Sequence, residues 1–151
     1  MTVPARHSES SRGRMNSITE SANRVAALVI GGCYLAIGVL GFIVTAALPF
    51  TDPNGSLLLG IVAVNSLQNL VHGVLGVSLL AAALLGRTSA RIATRAVGTV
   101  LLLLGIAGLF LASRDYNVFA VNAAANLLHF ASAATLLAVG LGTDRAPSRR
   151  A

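Results

Sequence analysis

The sequence predicts an all-α integral membrane protein, a bundle of four transmembrane helices made of two parallel-repeated helix hairpins. Three observations predict it. The 151 residues are 55% hydrophobic and only 11% charged, with a mean hydropathy of +0.78, whereas a soluble domain carries about 25% charged residues. Four apolar stretches follow one another, each long enough for a bilayer core that needs about 17–25 residues of helix. One motif, Asn-x-x-x-Asn-Leu-x-His, occurs twice, each matched residue recurring 57 positions on.

Residues 1–24 are polar and rich in Ser and Arg, with Met15 and Ile18 the only large aliphatic residues past Val3. They read as a disordered cytoplasmic tail. A cleavable signal peptide fits poorly, because the apolar run that follows exceeds an h-region of about 7–15 residues. The four spans of the domain at 25–141 lie at about 25–48, 57–85, 96–112 and 118–141. The second, taken whole, would be on the order of 44 Å long and should tilt or protrude. The third is short and recruits Arg95 as a snorkelling terminus. Between the spans, residues 49–55 hold the Pro, Asp and Gly of a turn, 86–91 read as a short basic loop and 113–117 as a shorter one. Residues 142–151 form a second basic tail.

Arginine placement gives the orientation. All eleven basic residues are Arg. Arg6, Arg12, Arg14 and Arg24 precede the first span; Arg87, Arg91 and Arg95 separate the second from the third; Arg145, Arg149 and Arg150 follow the fourth. An even number of spans puts these groups on one side, leaving only Arg114 opposite. The positive-inside rule then makes both termini cytoplasmic and the protein a multi-pass component of the cell inner membrane. The net charge of +6 is thus a topology signal, and without a recognisable motif it does not argue for nucleic acid as a partner. The partners expected are the lipid bilayer and a membrane protein or further copies of the chain. Absence of Lys, with the Ala-rich composition, hints at a bacterial gene of high GC content. Cys33 is the only cysteine and reads as a small packed hydrophobe.

The motif runs Asn65, Asn69, Leu70, His72 and again Asn122, Asn126, Leu127, His129. Offsets of four and seven put the polar residues within roughly 60° on one helix face. A buried amide without a partner costs on the order of 4–8 kcal/mol in hydrocarbon, so both stripes should face inward, toward each other. Gly38 and Gly41 of the first span are matched more weakly by Gly105 and Gly108 of the third. Each unit holds two spans, which makes the internal repeat parallel, about an axis along the membrane normal.

These paired motifs, with Leu35, Gly38, Gly41 and Phe42 of the first span, resemble the bacterial four-helix membrane family catalogued as domain of unknown function 4383. The resemblance covers about residues 25–141. It implies the four-helix fold and brings no activity with it. Where that family more often has an acidic residue before the second Asn of the fourth-span motif, this chain has Ala125.

The residues themselves point to a polar core, structural or ligand-binding, made of Asn65, Asn69, His72, Asn122, Asn126 and His129, with Gln68 beside it. As an interhelical clamp, each contact would be worth roughly 0.6–2 kcal/mol. The protein is then structural or partner-binding, with no enzymatic activity, no metal and no cofactor. The first alternative makes His72 and His129 axial ligands of one haem b in an electron-transfer subunit. The second is a small transporter or channel component acting as an oligomer, which the lack of Asp or Glu inside any span disfavours. Hydrolysis lacks a carboxylate to orient a histidine, and zinc lacks a third ligand inside the membrane.

Overall fold

A computed structural model describes residues 21–112 and 114–142. Most of the two tails expected at 1–24 and 142–151 lies outside the described residues. The elements run α1 (Ala22–Val44), β1 (Ser56–Leu58), β2 (Val62–Val64), α2 (Ser66–Leu85), α3 (Arg87–Leu111) and α4 (Ala123–Leu141). All four helices are long and apolar enough to cross a membrane.

Where the helices begin follows from capping chemistry. A helix leaves its first N–H groups without partners, and a short polar side chain ahead of it accepts from one. Ser21 does so for Arg24 N, Asn65 for Gln68 N and Asn122 for Ala125 N. The helix α1 therefore includes residues 22–24, expected in the tail, and α4 starts five residues later than the span expected from 118.

Two boundaries differ more. The second span does not start at 57, because residues 56–64 form an antiparallel hairpin pairing Ser56 with Val64 and Leu58 with Val62. Its turn places Leu59 and Gly60 at φ 53° and 73°, the mirror-type geometry that suits a right-twisted ribbon. A continuous apolar run cannot distinguish a buried strand from a helix by periodicity. Residues 86–91 are not a loop either. Only Gly86 separates α2 from α3, at φ 129° and ψ −178°, a conformation open essentially to glycine. Beyond it, 87–95 hold no helix breaker and three good helix-forming arginines, so α3 continues from Arg87.

The helix α1 packs chiefly on α2, and α3 on α4. Small residues permit the close approach: a Cβ on Gly76 would lie 2.6 Å from Leu35 N, and one on Gly38 2.8 Å from Asn69 O. Each helix sends two residues into one apolar core: Ala27 and Tyr34, Leu79 and Ala83, Val97 and Leu101, Ala133 and Leu136. The outward faces are apolar too, with Val29, Ile43, Leu84, Leu103, Phe110 and Leu127 exposed. A helix hydrophobic all round, bare on one side, belongs in lipid.

Candidate functional site

The polar core descends from the loop end of the bundle toward its middle. At the top, Asn65 and Asn122 each serve their own helix and the other half of the molecule. Asn65 Oδ1 caps α2, while its Nδ2 donates to Asp52 O at 3.0 Å and across to Val118 O at 2.8 Å. Asn122 Oδ1 caps α4, and its Nδ2 donates to Ile61 O, in the hairpin turn, at 2.8 Å. Their amides thus cross between the halves, each reaching a loop carbonyl of the other.

One turn below, the two stripes do not meet as expected. Asn69 turns to its own hairpin, donating from Nδ2 to Thr45 Oγ1 at 3.1 Å. Thr45 in turn donates to Gly41 O at 2.9 Å, so the 3.3 Å contact with Ser66 is a donation from the serine hydroxyl. Asn126 likewise lies against α3. The flat amides of Asn69 and Asn126 occupy the space a Cβ on Gly41 or Gly108 would take. Both Oδ1 atoms lack a conventional donor and rest on those glycines, whose backbone C–H groups are weak donors at best.

At the third level the stripes meet. His72 and His129 are 0% and 2% exposed, and their Nε2 atoms stand 3.4 Å apart. One ring must donate and the other accept. The ring centroids are 5.7 Å apart, so the separation grows by nearly two ring radii and the nitrogens point at each other. The Tyr34 ring meets His72 edge-on with centroids 5.1 Å apart; its hydroxyl is near Ser132 but outside hydrogen-bond geometry. Both Nδ1 atoms and both ends of the Gln68 amide are buried without partners. No group of three or more His, Cys, Asp and Glu comes together among the described residues.

Other residues join this network that their sequence setting did not single out for it. Thr45 and Ser66 complete the Asn69 contact, yet in sequence Thr45 reads as an ordinary polar residue near the end of the first span and Ser66 as one within the second. At the opposite end the arginines do more than mark a side. Arg24 Nε donates to Ala83 O at 2.8 Å, and Arg95 Nε to Gly140 O at 2.6 Å. Arg91 reaches Gly140 O and Gly142 O at 3.4 and 3.3 Å. An arginine early in α1 or α3 thereby satisfies the orphan carbonyls that end α2 or α4 and opposes their negative dipole ends. The one signal available was the i and i+4 spacing of Arg91 and Arg95, which puts both on one face. Asn23 closes the same end, accepting from Thr94 Oγ1 at 2.7 Å.

Comparison with curated proteins and with solved structures finds no match. The profile of one family, described as a domain of unknown function (DUF4383), matches residues 24–142. That stretch takes in all but the first two residues of the four helices, both Asn-x-x-x-Asn-Leu-x-His segments and the arginines that cap α2 and α4. The chain belongs to the DUF4383 family.

Proposed function

We propose that this is a non-enzymatic multi-pass membrane protein with a structural or partner-binding role, in which the Asn/His core is an interhelical clamp. The observation that carries the reading is where the polar atoms go. Asn65 and Asn122 hold the loops of opposite halves, and the two histidines bond each other. Such contacts fix register and orientation in lipid, where apolar packing alone specifies little. The equivalent roles of Asn65 and Asn122, of Gly41 with Asn69 and of Gly108 with Asn126 support a parallel internal duplication. Arg24, Arg91 and Arg95 all lie at the end where α2 and α4 finish, which supports a cytoplasmic placement of that end and of both termini in the inner membrane. A partner, whether another membrane protein or a second copy, would meet the aliphatic outer faces.

A double-mutant cycle tests the clamp. Removing one ring, as in His72→Phe or His129→Leu, leaves a buried nitrogen unpaired and should cost about 1–3 kcal/mol, while removing both should cost little more than one. Strictly additive losses in detergent unfolding would mean that the rings do not hold each other.

The haem b reading has one observation in its favour, the mutual aim of the two Nε2 atoms. One iron between two imidazoles needs them roughly 4 Å apart, at roughly 2 Å per bond, and 3.4 Å is short of that. A porphyrin would also displace Tyr34 from the His72 ring. A Soret band from protein expressed with ample haem, lost in His129→Ala, would favour this reading over the clamp. The transporter reading has no comparable support, since none of four surface cavities among the described residues is lined by either histidine.

A further inference from the structure

One difference between the two halves leaves a space. In the first half, Thr45 ends α1 four residues past Gly41, and Ser66 opens α2 directly after its cap, Asn65. Their hydroxyls adjoin each other at 3.3 Å, and that of Thr45 receives the Asn69 amide. In the second half the same places, four past Gly108 and directly after the cap Asn122, hold Ala112 and Ala123. Neither side chain can accept from Asn126 Nδ2 as Thr45 Oγ1 accepts from Asn69 Nδ2, and the Asn126 side chain, 7% exposed, borders open space instead.

Where the hydroxyls would stand there is instead a cavity of about 390 Å³, bordered by Ala112, Ala123 and Asn126. Three further asparagines, Asn54, Asn117 and Asn122, line it, and among the described residues no charged side chain does. Asn117 and Asn122 spend their amides on Val121 O and Ile61 O, so Asn126 and Asn54 are the amides left to face a guest.

We propose that this cavity binds an uncharged, hydroxyl-bearing molecule of about sugar size, one of whose hydroxyls sits beside Asn126 as that of Thr45 sits beside Asn69. Asn126 Oδ1 is packed on Gly108 out of a guest's reach, so the guest hydroxyl would accept from Nδ2, as Thr45 Oγ1 accepts from Asn69 Nδ2. A charged guest would lose hydration and meet no counter-charge. The volume lies in the range of small-molecule pockets, about 300–1,000 Å³, and far exceeds the roughly 30 Å³ of a single water. Its position at the loop end of the bundle admits either a free sugar or the sugar headgroup of a glycolipid.

The test uses the full chain in an amine-oxide detergent, because a glycoside detergent would itself present sugar. Saturation-transfer NMR reads binding of free glucose, and native mass spectrometry of protein in nanodiscs reads retention of a monoglucosyl-diacylglycerol. Ala112→Thr with Ala123→Ser restores the two hydroxyls and fills the space. It should weaken whichever probe binds by tenfold or more while leaving the melting temperature unchanged or raised. Asn126→Ala should weaken it too, but it also removes a packed amide, so the hydroxyl variant is the deciding one. Glucose binding identifies a free solute and retention of the glucolipid alone a headgroup. Binding of neither, with the cavity holding water only, or equal binding by the hydroxyl variant, would overturn the proposal.

Discussion

Asn65 makes three hydrogen bonds with one amide: it accepts from Gln68 N and donates to Asp52 O and Val118 O. Asn122 makes two, from Ala125 N and to Ile61 O. Losing an N-cap costs about 0.5–2 kcal/mol, and each net hydrogen bond about 1 kcal/mol. Asn65→Ala should therefore destabilise by about 3 kcal/mol and Asn122→Ala by about 2 kcal/mol in detergent unfolding. Equal losses would show that the donation to Asp52 O is energetically idle. Spacing in the sequence indicates that these asparagines share a stripe with His72 and His129. It does not show that the first of each stripe is a cap, because cap and first turn lie on the same face.

At the scale of elements, the hairpins α1–α2 and α3–α4 owe their close packing to glycines that face a neighbour. Gly41 and Gly108 each receive an asparagine amide, whereas Gly32 meets nothing within 4 Å. Gly41→Ala and Gly108→Ala must push Asn69 or Asn126 aside, breaking the Thr45 contact in the first case. Overpacking of this kind costs about 1–3 kcal/mol. Gly32→Ala should be neutral or stabilising by up to about 1 kcal/mol, since alanine is the better helix former. Melting temperatures of the three variants, measured side by side, check both directions; a Gly41→Ala protein as stable as Gly32→Ala would mean the helices are not held at that distance. Glycine content alone cannot separate these positions. Which glycine meets a partner depends on the rotation of each helix, and that is set by the neighbour it packs against.

For the whole molecule, the arginine-capped end and the loop end should lie on opposite sides of the membrane. In a Cys33→Ser background, Asn54→Cys in the loop before β1 should react with a membrane-impermeant maleimide in intact cells. Thr88→Cys, at the start of α3, should react only after permeabilisation. The reverse pattern would invert the orientation, and labelling of both in intact cells would break the four-span topology. The outer faces carry exposed Val, Ile, Leu and Phe across the four helices, so the bundle withdrawn from lipid should aggregate rather than stay monomeric.

Residue order was enough for the fold class, the number of spans and the members of the polar stripes, because lipid leaves few ways to place charge and amides along a chain. Arg24, Arg91 and Arg95 were legible as one group for the same reason. Other features needed the folded molecule. Residues 56–64 pair as a hairpin, which an apolar run without a readable period could not announce. Asn69 and Asn126 turn to their own hairpins while His72 and His129 meet, since helix rotation and approach depend on contacts distant in sequence. The space beside Asn126 belongs to both: Ala112 and Ala123 are plain in the sequence, and only the fold sets them opposite the places that Thr45 and Ser66 fill.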